Sequence, residues 1–420
     1  MSGAMSGTRA VSRSILGSRT LWICAGIWIA TRAYMVADVG FWGQVSHLRL
    51  QDVGNYATWS QHLVTMHSIP TGNAWQYPPA AAYLMLVPRL GPGSYGESFV
   101  GLMLLFDLAG LVLLASFGRR SGSYTGVWVW LLGMPLLGTF SVLRFDLVPT
   151  VIAIAALVVI HRRPGWFGAL AGLGASVKVW PVVLLFGEWD PRRLLRAAAA
   201  ASGVLALVFL VGEVAFGDPL SFLSGQSRRG LQEEAVATVP WHLWEVVSGH
   251  TAQREIRFGA WELTSGGAKA VAAALEWMTL VALAGAVAWW QARLRAIRSG
   301  RLDLAEAAVS RDFVFAVVLL LIVTSRVLSS QYMVWLLGMA VVVLTAGSTR
   351  LARPAWIVIG AMILTTSTFK SPEHVAIRDL ALLAATVDAA VALILALRRA
   401  PASAEPGVPE DSGQPMPARV

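Results

Sequence analysis

Long apolar runs separated by short basic clusters set the pattern of the chain. The clearest are Leu21 to Val36, Phe99 to Phe117, Val127 to Leu143, Leu147 to Ile160, Leu194 to Phe216, Ala270 to Trp290, Tyr332 to Leu344, Pro354 to Phe369 and Ile377 to Leu397. Shorter or broken runs lie at Ala80 to Leu90, Phe167 to Phe186 and Phe313 to Val323. A helix needs roughly 20 apolar residues to cross a bilayer, so the pattern predicts about 11–13 transmembrane helices, some of them half-length. Helices satisfy their own backbone groups in lipid, which makes an all-α polytopic membrane bundle the expected fold class.

Composition agrees. Of 420 residues 56% are hydrophobic and 14% charged, and the mean hydropathy is +0.62; soluble domains carry roughly 25% charge. A net charge of +9 and a pI near 10.3 could suggest a nucleic-acid partner. The excess cations instead fall in short clusters between apolar runs, at Arg119-Arg120, Arg162-Arg163, Arg192-Arg193-Arg196, Arg293-Arg295-Arg298-Arg301, Arg350-Arg353 and Arg398-Arg399. That is the positive-inside signature of cytoplasmic loops, so the expected partner is the lipid bilayer and no nucleic acid is expected. Arg9, Arg13 and Arg19 ahead of the first run read as an uncleaved signal anchor with a cytoplasmic N-terminus. Cys24 is the only cysteine, which excludes disulfides within the chain.

Sidedness then organises the rest. Residues 1–20 form a basic cytoplasmic N-terminus, 21–399 the membrane domain, and 400–420, rich in Pro, Ser, Gly and Glu, a disordered cytoplasmic tail. The segment between Arg163 and Arg192 must leave and return to one side, so it should break near Lys178-Val179-Trp180-Pro181. Placing Tyr77-Pro78-Pro79 outside and Arg119-Arg120 inside leaves one crossing too many unless Ala80 to Leu90 re-enters. Polar residues away from the arginine clusters collect on the outer face: loops 38–76 and 217–268, Arg144-Phe145-Asp146, Ser325 to Gln331, and Lys370 to His374. Internal repeats and Walker or Gly-x-Gly-x-x-Gly patterns are absent from the sequence.

Asp52, in Gln51-Asp52-Val53-Gly54-Asn55-Tyr56 beyond the first span, is a candidate general base, set against an ordinary reading as a helix N-cap or solvated acid. Asp38 reads as a solvated span end, and Asp146 as the loop partner of Arg144 or a site residue. Arg228 and Arg229, beside Gln232, Glu233 and Glu234, read as a solvated charge run or an acceptor contact. Trp59, Trp75, Tyr77, Trp241 and Trp244 lie where a sugar could stack. The histidines have no ligand spacing and the outer loop has no Asp-x-Asp, so neither metal nor cofactor is expected.

Several of these residues recur in an order that is similar to a known family. Asp52-x-x-x-Tyr56-x-x-Trp59, Ile69-Pro70 and Trp75-Gln76-Tyr77-Pro78-Pro79-Ala80 resemble the first outer loop of glycosyltransferase family 87, a GT-C family that includes actinobacterial mannosyltransferases. Downstream, Arg144-Phe145-Asp146-Leu147-x-Pro149, His161-Arg162-Arg163, Gly168 to Gly174 with Lys178-x-Trp180-Pro181, and Ser325 to Tyr332 with Trp335 agree in order. The resemblance implies a GT-C-like membrane bundle that moves a sugar, often mannose, from a polyprenyl phosphate to a glycolipid or glycan hydroxyl outside the plasma membrane. Asp52 would take the hydroxyl proton in an inverting displacement. Lys178, Arg144 and Arg326 would hold the donor phosphate, with Tyr56, Trp75, Tyr77, Asp146 and Gln331 as substrate contacts. The rival readings are a transporter or flippase of lipid-linked saccharides, which would predict inverted repeats, and a non-catalytic envelope scaffold.

Overall fold

The computed structural model describes residues 5–41, 43–70, 75–223, 229–302, 307–365 and 371–398. Arg228, Lys370, Arg399 and the tail 400–420 lie outside the described residues, as do the side chains of Arg9 and Arg13.

The chain forms an all-α polytopic membrane fold. Its helices are α1 (Met5–Phe41), α2 (Gly43–Met66), α3 (Ala80–Leu86), α4 (Tyr95–Ser121), α5 (Thr125–Leu136), α6 (Leu147–Val159), α7 (Pro164–Val177), α8 (Pro191–Phe216), α9 (Val239–Ser248), α10 (Ala268–Arg298), α11 (Ala307–Thr324), α12 (Met333–Ala346), α13 (Ala352–Ile363) and α14 (Pro372–Arg398). Among the described residues, α4, α8, α10 and α14 are long and apolar enough to cross a membrane by length and composition, and α5, α6, α12 and α13 are shorter apolar helices. The sequence reading missed a small antiparallel sheet between α8 and α10, ordered β1-β3-β2, from β1 (Leu231–Gln232), β2 (Arg254–Arg257) and β3 (Ala260–Leu263).

Local chemistry sets the element ends. At the start of α4, Ser94 Oγ accepts from the Glu97 N–H at 3.3 Å, while the Ser94 N–H donates to Glu97 Oε2 at 2.7 Å, a reciprocal cap. Gly122, at φ 78°, ends the helix in the left-handed region. Helix α12 is apolar on every face and buried from Met333 to Thr345, which makes it the centre of the bundle. Glycines let its neighbours approach: a Cβ on Gly126 of α5 would lie 2.1 Å from the Val341 carbonyl, and one on Gly338 would lie 2.3 Å from Thr150 Cγ2.

Helix α1 is tied to α4 and α5 by a buried ion pair. Arg32 Nε and Nη2 donate to Asp107 at 2.8 and 2.9 Å, Arg32 Nη1 donates to the Leu131 carbonyl at 2.7 Å, and Trp28 Nε1 donates to Asp107 at 2.5 Å. Side-chain exposures of 2% and 0% leave neither charge access to water. Such residues inside a membrane bundle pair with one another because an isolated charge there is costly.

The hairpin expected after Arg163 is present. Helix α7 ends at Lys178, whose backbone is extended, and a 3₁₀ segment, Trp180–Gly187, runs back to Glu188 beside His161. Helix α7 also packs on α8 through facing small residues: a Cβ on Gly168 would lie 1.9 Å from the Ala197 carbonyl, and one on Gly172 would lie 2.5 Å from that of Ala201. The short run at 80–90 is α3, 7 residues, followed by a 3₁₀ turn of 4 residues, Val87–Leu90. Together they rise about 18 Å, too little to cross a hydrocarbon layer of about 30 Å. Arg89 at their far end donates to Gln61 of α2 at 2.7 Å, so the segment ends against α2. Residues 38–76, expected as a loop, are instead mostly helical, in the end of α1 and in α2.

Two ends of the bundle differ in chemistry. At one end Arg120 and Arg162 approach Arg311, Arg193 donates to the His161 carbonyl at 2.6 Å, and the Arg350 N–H donates to Asp312 at 2.9 Å. At the other end α2, the turn before α6, the α7 break, the sheet and the turn after α11 converge on a cavity.

Candidate active site

The cavity has a volume of about 810 Å³. Helix α2 presents Asp52, Asn55 and Trp59 to it, positions three and four apart that share one face. Tyr56, on the adjoining strip of that helix, is buried and packs on Phe99 and Phe145 with ring centroids 5.4 and 5.3 Å away. Trp59, Trp75 and Tyr77 meet one another at 5.9–6.1 Å and Tyr77 meets Phe145 at 4.9 Å, giving an aromatic floor. Burial pushes the Tyr56 and Tyr77 hydroxyls well above the usual phenol range, with Asp146 adding to the shift, so both stay protonated donors.

Three cations line the cavity. Arg144 forms an ion pair with Asp52. This corrects the expected Arg144–Asp146 loop contact, because the turn before α6 points the two side chains at different partners. Desolvation lowers the Arg144 guanidinium to about 10 against the opposing pull of Asp146, Glu234 and Tyr332, so it remains charged at neutral pH. Lys178 forms an ion pair with Asp146, which also accepts from Trp335 Nε1 at 2.9 Å. Its ammonium sits over the Tyr332 ring at 4.6 Å and the Trp335 ring at 5.0 Å. Arg229 bonds to the neutral amide of Gln76 and lies 6.0 Å from the Phe258 ring. Among the described residues the buried Nε groups of Arg144 and Arg229 have no hydrogen-bond partner, which suits an anionic ligand.

Each residue expected at the site has a place. Asp52, Tyr77, Arg144, Lys178 and Gln331 line the cavity. Tyr56, Trp75 and Asp146 lie behind the wall, exposed by 2% each. Arg326 is a correction: its side chain pairs with Glu276 of α10 and is absent from the lining, while its neighbours Ser325 and Val327 line it. Arg229 is the converse: from a run read as solvated charge or an acceptor contact, Arg229 and Gln232 line the cavity where β1 pairs with β3. Of the other aromatics considered, only Trp59 faces the cavity; Trp241 and Trp244 do not. An apolar part of the wall runs from Phe222 and Leu223 to Val318, Leu321 and Ile322 of α11. Among the described residues no group of His, Cys, Asp and Glu is arranged to hold a metal.

Residues 75–233 match glycosyltransferase family 87. The family 87 stretch contains the lining residues Gln76, Tyr77, Arg144, Lys178, Arg229 and Gln232, and Asp146 behind them. Asp52 and Gln331 fall outside it. The resemblance read from the motifs is borne out over this stretch, and with the apolar helices it supports a membrane glycosyltransferase. No curated protein matches the chain. The crystal structure of ArnT from Cupriavidus metallidurans bound to undecaprenyl phosphate is similar with a TM-score of 0.44 and 13% identity, over 93% of this chain and 78% of that one.

Proposed function

We propose that the protein transfers a sugar, mannose by the family resemblance, from a polyprenyl phosphate to a hydroxyl of a glycolipid or glycan on the outer face of the plasma membrane. One observation carries the reading: a single cavity joins a carboxylate, three cations, an aromatic floor and an apolar wall. That combination fits the parts of a polyprenyl-phosphate sugar. The sugar ring lies on Trp59 and Tyr77, the phosphate among Arg144, Lys178 and Arg229, and the first prenyl units along Val318, Leu321 and Ile322.

The reaction follows from the charges. The acceptor oxygen attacks the anomeric carbon, its proton passes to Asp52, and the bond from that carbon to the phosphate oxygen breaks with inversion. The leaving group turns from a diester monoanion into a phosphate monoester that carries more negative charge. Cations held around it therefore bind the transition state more tightly than the ground state, which is the condition for catalysis. Arg144, tied to Asp52, couples base and leaving-group sites. Lys178 is held by Asp146, whereas Arg229 is held by a neutral amide and brings its full charge to the donor.

Sidedness follows from the two ends of the bundle. Arginine clusters at the end opposite the cavity belong in the cytoplasm by the positive-inside rule, so the cavity opens outside. The domain reading stands as part of the proposal, with residues 21–399 as the catalytic membrane domain between a basic N-terminus and a cytoplasmic tail. Incubating purified protein with radiolabelled polyprenyl-phosphate mannose and membrane glycolipids tests it. Label should move to the lipid acceptor; movement of intact donor across vesicle bilayers without transfer would favour the flippase.

A further inference from the structure

A second chamber, of about 360 Å³, adjoins the first across residues 232–234 and 329–331. The wall between them is thin. Gln232, Ser329 and Gln331 face the large cavity, while their neighbours Glu233, Glu234 and Ser330 face the small one. Ser330 Oγ donates to Glu234 Oε2 at 2.8 Å, and the Gln232 N–H donates to the Arg326 carbonyl at 3.0 Å, so both stretches of the wall are pinned.

The chamber is built of polar groups fixed by one another. Arg254 bridges Glu233 at 2.9 Å and Glu245 at 2.7 Å. His242 Nε2 lies 2.8 Å from the Glu233 carbonyl, and Arg378 Nη2 donates to the Glu234 carbonyl at 2.7 Å. His242, Ser330 and Arg378 are all more than nine-tenths buried. Two carboxylates, two guanidinium groups, the His242 imidazole and the hydroxyls of Thr251, Ser330 and Thr365 line the space beside Leu364, Pro372 and Val375, and hydroxyl groups of a ligand, each both donor and acceptor, match the polar part of such a lining. Charge separates the two cavities. The lining of the small one sets Glu233 and Glu234 against Arg254 and Arg378, and Glu245 and Asp379 behind it pair with those two arginines, a balance that disfavours a phosphate and tolerates a neutral polyol. Glu234 also lies near enough to Arg144 for its charge to act on that guanidinium, so the chamber reaches toward the Asp52–Arg144 pair.

We infer that this chamber seats the acceptor saccharide, with Glu234 and Ser330 holding its ring hydroxyls while the attacking hydroxyl projects through the thin wall toward Asp52. The inference rests on the glycosyltransferase reading. Donor and acceptor would then enter from different sides, the lipid along α11 and the saccharide between the sheet, α9 and α14. Neither substrate has to leave its site for the other to arrive.

Three variants test this in membrane vesicles supplied with radiolabelled polyprenyl-phosphate mannose, with label followed into all lipid and polysaccharide fractions. Thr251→Trp crowds the exposed rim, Val375→Phe fills the interior, and Glu234→Gln keeps the side-chain volume while weakening the hydrogen bonds. The inference expects transfer to fall about 10-fold or more in each. The thermal shift of the purified protein on adding undecaprenyl phosphate should stay at the wild-type value, which also reports that each variant is folded. Wild-type transfer in both Thr251→Trp and Val375→Phe would overturn the assignment, as would loss of the undecaprenyl phosphate shift in folded Glu234→Gln. Failure of the wild-type protein itself to transfer label while still binding undecaprenyl phosphate would instead overturn the glycosyltransferase reading.

Discussion

Lys178 can be a phosphate ligand or only the counter-ion of Asp146, and a pair of substitutions separates the two roles. Asp146 is 2% exposed, and among the described residues its side chain accepts from the Lys178 ammonium and the Trp335 N–H. Lys178→Gln alone leaves that carboxylate buried without its ion-pair partner, which costs about 3–5 kcal/mol of stability when one partner of a buried pair is removed. Asp146→Asn together with Lys178→Gln replaces the ion pair by two amides that can hydrogen-bond, and most of that loss should return. Donor use should not return with it. A charge-assisted contact to phosphate contributes about 1.5–3 kcal/mol, so the double variant should use donor roughly 10- to 100-fold less well at unchanged acceptor KM. Thermal unfolding in detergent reads the first quantity and donor kcat/KM the second. If the double variant recovers both stability and donor use, Lys178 is a structural tie and its role at the phosphate is wrong.

Other consequences are open to direct measurement. In a Cys24→Ala background, an impermeant thiol reagent applied to intact cells should label Thr251→Cys and leave Arg192→Cys unmodified; labelling of the second would invert the topology. Asp107→Asn should lower stability by about 3–5 kcal/mol by stranding Arg32 in the bundle, and Arg32→Met with Asp107→Leu should restore most of it, as measured by unfolding. Gly168→Ala should cost about 1–3 kcal/mol by forcing α7 away from α8. Because α7 carries Lys178, donor KM should rise in the same variant, and an unchanged KM would separate this helix contact from the site.

Much of the fold is legible because its signals are local. Apolar runs, basic clusters and the Pro181 break each act within a few residues, and the α7 hairpin follows from charge on both its flanks. The site is less so, since its pairings join distant segments. Asp146 meets Lys178, 32 residues on, rather than Arg144, two residues away. Arg32 meets Asp107, 75 residues on, a pairing that no local pattern in either apolar run announces. Asp52 reads as a loop acid because residues 43–66 are too polar for a membrane helix, yet a helix that buries only the face of Val53, Tyr56, Ser60 and Leu63 accepts that composition. Arg229 and Glu234 look like solvated charge because nothing in a run of polar residues says which way a short strand will turn them. Arg326 sits within a matching motif, and only its contact with Glu276 across the bundle shows that it faces elsewhere.

The central claim is that Asp52 takes the acceptor proton in the cavity shared with the cations. Asp52→Asn keeps the shape and a hydrogen bond to Arg144 but is no longer a base. The measurement is sugar transfer from radiolabelled polyprenyl-phosphate mannose by purified protein, alongside the thermal shift on adding undecaprenyl phosphate. The account predicts transfer reduced by about 100-fold or more with the shift retained. Transfer near the wild-type rate in a variant that still binds the lipid would contradict it.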